Sequence, residues 1–183
     1  MKRLVLPATD ETITRSFRFS EQAFRVIQED AEKQRISVNT LMNHLIDSYV
    51  NFERYSKTMH TIKIPGQLLR YLLEAIHESM IIKVGQISGE NIAESIILVK
   101  YGALTLDNII SHLRDLSRYG NLFEYNEVDT HEKLTISLVH QFGLKGSLLI
   151  AHYVQSIFNR INIHPFFHIA ENAVTIEIIK EKV

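Results

Sequence analysis

Cysteine is missing from all 183 residues of the chain, which excludes disulfides, thiolate metal sites and cysteine nucleophiles. No run approaches the ~20 apolar residues that span a bilayer. The best stretch, Leu148 to Val154, is interrupted by His152. The opening MKRLVLPATDET holds two basic residues and an apolar run of only three, too short for the core of a secretion signal. These absences lead us to expect a cytoplasmic protein. There is no Gly/Ser linker, no internal repeat and no phosphate-binding glycine loop, since Gly85-Gln-Ile-Ser-Gly-Glu has neither the lysine nor the spacing. An excess of positive charge is missing too: the net charge is −1, and residues 1–57 hold nine Lys/Arg against eight Asp/Glu. A hydrophobic content of 45% with 22% charged residues leaves an ordinary globular chain with room for one or two domains.

What is present is organised around Thr12 to Tyr55. Ile13, Arg15, Phe17 and Phe19 alternate with Thr14, Ser16 and Arg18, the period of two that a half-buried strand requires. Ala23, Phe24, Ile27 and Ala31 then form one helical stripe, and Val38, Leu41, Met42, Leu45, Ile46, Tyr49 and Val50 form a second. Ser37, just before the second stripe, is placed to cap that helix. A strand and two helices of this size bury too little surface to stand alone. A symmetric dimer, strand paired with its copy, is the simplest completion.

In this combination the segment resembles the ribbon-helix-helix family of the Arc, MetJ and CopG repressors, over about a quarter of the chain. The resemblance implies an antiparallel two-stranded ribbon entering the DNA major groove. Carried over by position, Thr14, Ser16 and Arg18 would meet base edges, Arg18 with a bidentate guanine contact. Arg15 would reach a phosphate. Ser37 with the N–H groups of Val38 and Asn39 would grip another at the positive end of the helix. Phe17, Phe19, Leu41 and Leu45 would form the dimer core. The sequence departs from the family at Arg35-Ile36, where the turn usually carries glycine, and in an apolar core where relatives sometimes bury ion pairs. A β-α-α pattern with a serine cap also occurs as a fragment of larger α+β domains.

Residues 1–11, with Pro7 and Asp10-Glu11, read as a flexible arm bearing Lys2 and Arg3, and Arg54 to Met59 reads as a junction. From residue 58 to 183 a compact α+β domain is expected. His60 to Ile64 alternates as a strand; Gln67 to Ser79 has helical spacing; Met80 to Ile87 is β-rich, with a bend at Gly85. Glu90 to Tyr101 reads as a buried helix ended by Gly102, and Thr105 caps another that reaches Tyr119. Leu122 to Val128 and Lys133 to His140 flank the polar turn Asp129-Thr130-His131-Glu132. A strong helix from Leu144 to Ile161 precedes strands at Phe166–Ile169 and Val174–Ile179.

The histidines do not assemble a metal site by spacing: His164 and His168 bracket Pro165 in extended context, and His131, His140 and His152 are isolated. A nickel-responsive branch of the resembled family pairs this DNA-binding unit with a His-rich motif and a cysteine, and the cysteine is missing. Ser147 and His152 lie five apart on one helix and do not face each other. No catalytic constellation emerges, so no enzyme, metal or cofactor is expected. The expectation is an α+β protein: a ribbon-helix-helix unit at 12–57 and a sensing or oligomerisation domain at 58–183. It would act as a sequence-specific DNA-binding transcriptional regulator, and the resemblance implies a repressor. Double-stranded DNA, a second copy (dimer or tetramer) and a small-molecule effector would be its partners, with no membrane. The other reading is an interaction module or antitoxin-like protein in which the N-terminal unit chiefly dimerises.

Overall fold

Helix formation begins where the sequence supplies a cap. Ser20 Oγ accepts from the Ala23 N–H at 3.2 Å, and α1 (Glu21–Lys33) follows. The helix closes through Arg35, whose N–H donates to the Glu32 carbonyl while the Ile36 N–H reaches the Ala31 carbonyl, both at 3.0 Å. Arg35 itself sits at φ 55°, in the left-handed region that glycine usually occupies at such closures. Ser37 then caps α2 (Val38–Ser48), its Oγ accepting from the Thr40 N–H at 3.0 Å. A π-helical turn (Tyr49–Glu53) continues into α3 (Arg54–Thr58). This computed structural model describes residues 12–58 and 60–180; the arm expected at 1–11 lies outside them.

The strand expected at Ile13–Phe19 does not form. Residues 12–20 have no ladder partner, and a strand exists only through pairing, which the single chain does not supply here. Among the described residues the first regular elements are therefore helices, and the fold is α+β with its strands in the C-terminal half. Contacts divide the chain into compact units between Ile46 and Asp47, earlier than the junction read from sequence. The cause is local: the Phe52 ring lies 6.1 Å from that of Tyr119, and the Lys100 ammonium lies 5.7 Å from the Tyr55 ring. The end of this helical run thus belongs to the second unit.

In the second unit, Pro65 precedes α4 (Gly66–Ala75), and after a break at Ile76 the His77 side chain caps α5 (Glu78–Ile87). A π-helical segment (Ser88–Ala93) joins α5 to α6 (Glu94–Tyr101), which Gly102 ends at φ 84°. Thr105 caps α7 (Leu106–Arg118), accepting from the Asn108 N–H at 3.3 Å. Strands β1 (Glu124–Asp129) and β2 (Lys133–Val139) form a hairpin closed by the Thr130 N–H on the Lys133 carbonyl at 2.9 Å. Helix α8 (Gly143–Asn159) crosses to β3 (Phe166–Ala170) and β4 (Ala173–Ile179). The antiparallel sheet has the order β1-β2-β4-β3. Alternation puts Leu134, Ile136 and Leu138 of β2 on the same buried side as Val174, Ile176 and Ile178 of β4.

Two expectations fail here. His60–Ile64 forms no strand, and Met80–Ile87 is helical. The second has a packing reason. A Cβ at Gly85 would lie 2.8 Å from the Leu149 carbonyl oxygen, and one at Gly89 would lie 2.3 Å from that of Tyr153. Glycines at this spacing let α5 and the π segment lie directly on α8, so Gly85 marks close helix approach rather than a bend. The core centres on α8, whose Val154, Ile157 and Phe158 are fully buried.

Candidate functional site

Among the residues expected to touch DNA, Thr14, Ser16 and Arg18 are exposed on the segment leading to α1, and Arg15 Nη1 donates to the Thr14 carbonyl at 3.0 Å. Helix geometry leaves the first-turn N–H groups without carbonyl partners inside the helix. Ser37 takes that of Thr40, and its hydroxyl also lies 2.8 Å from the Thr40 hydroxyl. The N–H groups of Val38 and Asn39 belong to the same first turn, where the helix dipole favours an anion. The left-handed turn at Arg35 sets the direction in which this end of α2 points. Of the expected core residues, Leu41 is already buried within one chain, whereas Phe17 is 68% exposed and Phe19 and Leu45 are about half exposed.

The second unit contains polar clusters that the sequence did not reveal. His112 on α7 is buried, and its Nε2 lies 2.7 Å from the Tyr153 hydroxyl of α8. Burial lowers the His112 pKa to about 4; Asp115 pulls it up and Lys100 pushes it further down. The ring is neutral in the fold. Beside it, Asp115 accepts from both Lys100 and Tyr101, and the pair's side chains are only 9% and 17% exposed. Burial first, then the bond to Asp115, raises the Tyr101 phenol well above its ordinary range.

The serine–histidine pair that the fold does bring together is Ser147 with His140, at 3.0 Å. Its proton positions follow from the other partners. The Phe142 N–H donates to His140 Nδ1 at 3.1 Å, so Nε2 bears the hydrogen and donates to Ser147. Ser147 in turn donates to the Glu171 carbonyl at 3.3 Å. A base would need a free lone pair on Nε2, so this pair ties the start of α8 to the β3–β4 turn and does not activate the hydroxyl. No signal in the sequence spacing distinguishes His140 from the other isolated histidines. His164 and His168 do not converge: His164 Nδ1 is 3.3 Å from Asn159, and His168 Nε2 is 3.8 Å from Glu177. Among the described residues no group of three or more His, Asp or Glu side chains could hold a metal.

An open cavity of about 1270 Å³ lies in the second unit, lined by Phe52, Leu69, Phe123 and Phe142 together with Lys63 and Arg70. Its lining mixes these apolar side chains with many polar and charged ones, among them Glu53, Lys57, Glu74 and Glu124. No single helix among the described residues is long and apolar enough to cross a membrane. No known protein family, no curated protein and no solved structure matches this chain.

Proposed function

We propose that this chain is a sequence-specific DNA-binding transcriptional regulator, a repressor by analogy with the family it resembles, that acts as a homodimer. The observation that supports it is the incompleteness of the N-terminal unit. Among the described residues of that unit Ala31 and Leu41 are the buried apolar ones, while Ile13, Phe17, Phe19, Phe24, Val26, Leu45 and Ile46 remain 43–73% exposed. So many uncovered apolar side chains on a small unit mark an interaction surface. A second copy covers them by pairing residues 13–19 across a two-fold axis. Thr14, Ser16 and Arg18 then share the outer side of the ribbon, and the Ser37-capped end of α2 faces a phosphate. The cavity of the second unit is where an effector would act.

The near-neutral charge of residues 1–57 favours a second reading, in which the N-terminal unit dimerises without touching DNA. The experiment that separates them is selection of genomic fragments by the purified protein at low and high salt, repeated with Thr14→Ala/Arg18→Ala. A regulator enriches short repeats, loses affinity as salt rises, and loses at least ~1–3 kcal/mol with the double substitution. An unchanged enrichment after substitution would remove the ribbon, and no retention at either salt leaves the dimerisation module.

A further inference from the structure

A small pocket within the second unit is lined by polar side chains that the fold itself leaves unused. It encloses about 280 Å³ between the π-helical turn at Asn51, the end of α6 and one side of α7. On α7, Arg114, Asp115 and Arg118 follow Ser111 by three, four and seven residues, so the helix turns all four to the same side. Their bonding divides them. Asp115 accepts from Lys100 and Tyr101, and Arg114 donates to both carboxylate oxygens of Glu127, at 2.6 and 2.7 Å. Arg118 has no acid beside it among the described residues; its guanidinium lies over the Tyr119 ring, 5.4 Å from the centroid. The Asn51 amide and the Ser111 hydroxyl are on half-buried residues, and no described residue shares a hydrogen bond with either side chain. A helical serine can return its hydroxyl to the preceding turn, as Ser95 does to the Asn91 carbonyl at 2.6 Å. Ser111 makes no such bond.

We propose that this pocket binds the oxyanion group of a small ligand, a carboxylate or a phosphate, with Arg118 as its charged anchor and Asn51 and Ser111 as neutral donors. Charge decides the class of ligand. Lys100, Arg114 and Arg118 line the pocket against Asp115 alone. With Glu127 counted as well, three positive charges face two negative ones, and the charge left over is that of Arg118. The unused donors suit the same ligand. A guanidinium presents parallel N–H groups that match two oxygens of a carboxylate or phosphate, and the amide and the hydroxyl can each donate one bond more. An apolar ligand would strip water from all three groups and return no hydrogen bond. The volume lies at the lower end of small-molecule sites, which begin at roughly 300 Å³, so the ligand is compact. Asn51 stands in a π-helical turn, a local widening that recurs where helices bind ligands. A ligand held by both Asn51 and α7 would fasten that turn to the core of the second unit. The inference does not depend on DNA binding or on dimerisation.

The test is titration of the isotope-labelled full chain with sodium phosphate and, separately, sodium acetate, at an ionic strength held constant with sodium chloride, followed by NMR. The expected result is saturable shifts of the Asn51, Ser111 and Arg118 signals with at least one of the two anions. Saturation by phosphate alone assigns a phosphate-bearing ligand, and saturation by acetate alone assigns a carboxylate. Arg118→Gln and Asn51→Asp, made separately, should each weaken binding roughly tenfold or more, since one removes the charged donor and the other sets a carboxylate against the anion. Arg70→Gln removes a charge outside the pocket, paired with Glu74 at 2.9 Å, and should leave binding unchanged. The same spectra show that each variant is folded. Shifts that rise linearly with both anions, or that saturate equally well in Arg118→Gln, overturn the pocket. So do shifts confined to the Ser37 end of α2, which would instead report the helix end proposed to meet a DNA phosphate.

Discussion

His112 gives the sharpest quantitative test of the second unit's core. Its imidazole is 2% exposed and is held against the Tyr153 hydroxyl at 2.7 Å. Its pKa falls from 6.5 to about 4, chiefly through burial. In the unfolded chain the ring takes up a proton below pH 6.5; in the fold it does so only near 4. Stability is therefore complete above pH 6.5, is lost as pH falls toward 4, and falls no further from this group below that. At 1.36 kcal/mol per pH unit the full loss is ~3 kcal/mol, and most of it, about 2.5 kcal/mol, has occurred by pH 4.5. That is a large share of the ~5–15 kcal/mol that holds a typical domain together. His140, also lowered by burial, and the carboxylates add their own pH dependence, so the measurement is a difference. Urea unfolding of the natural protein and of His112→Gln is followed from pH 7.5 to 4.5; the amide keeps a polar partner for Tyr153 but cannot titrate. The gap between the two stabilities should change by about 2.5 kcal/mol in favour of the variant across that range. Parallel curves would refute a neutral, buried His112.

The remaining predictions concern packing and backbone. Gly89→Ala puts a methyl group 2.3 Å from the Tyr153 carbonyl oxygen, where helix must move from helix; we expect a loss of about 3 kcal/mol by chemical denaturation, and a loss below 1 kcal/mol would contradict the close approach. Arg35→Gly relieves a left-handed residue at φ 55°; with the entropy of glycine set against the strain, it should stabilise by about 0.5 kcal/mol and raise the melting temperature, whereas a lower temperature would contradict the turn. Lys100→Met strands the largely buried Asp115 and should cost about 3 kcal/mol, much of it recovered in Lys100→Met/Asp115→Leu because a buried pair replaced by apolar groups is near neutral. Equal stability of the single and double variants would mean that Asp115 is not desolvated.

Local chemistry is what the sequence made legible. Ser37, Thr105 and Gly102 act at their helix ends as their side chains or lack of one dictate. The alternating run from Lys133 to Val139 and that from Ala173 to Ile179 are neighbouring strands of the sheet. Less legible was anything set by a distant neighbour. Met80 to Ile87 is rich in β-branched residues, and its helical state is fixed by α8 passing over Gly85 and Gly89, a contact with residues some sixty positions on that propensity does not register. His140 and Ser147 meet because β2 ends where α8 begins and the β3–β4 turn folds back on both. Their spacing of seven resembles many that mean nothing.

The run Ile13–Phe19 shows a different limit. Its alternation specifies which side chains share a face, but a strand also requires a partner for its backbone, and alternation does not say which chain supplies one. Within one chain those N–H and C=O groups face water, which costs little, and the side chains of Phe17 and Phe19 remain 68% and 46% exposed, which forgoes a part of the roughly 1.5–3 kcal/mol that each gains on full burial. Pairing with a second copy would recover both terms at once: four phenylalanines per dimer leave water as the two backbones join. The same balance explains why the helices are formed in a single chain and the strand is not, since α1 and α2 satisfy their backbones internally and need only Ser20, Ser37 and the Arg35 turn to be set. On the reading proposed here, structure in residues 13–19 is therefore a property of the dimer, and the side chains that would read DNA become ordered by the same event that creates the two-fold axis.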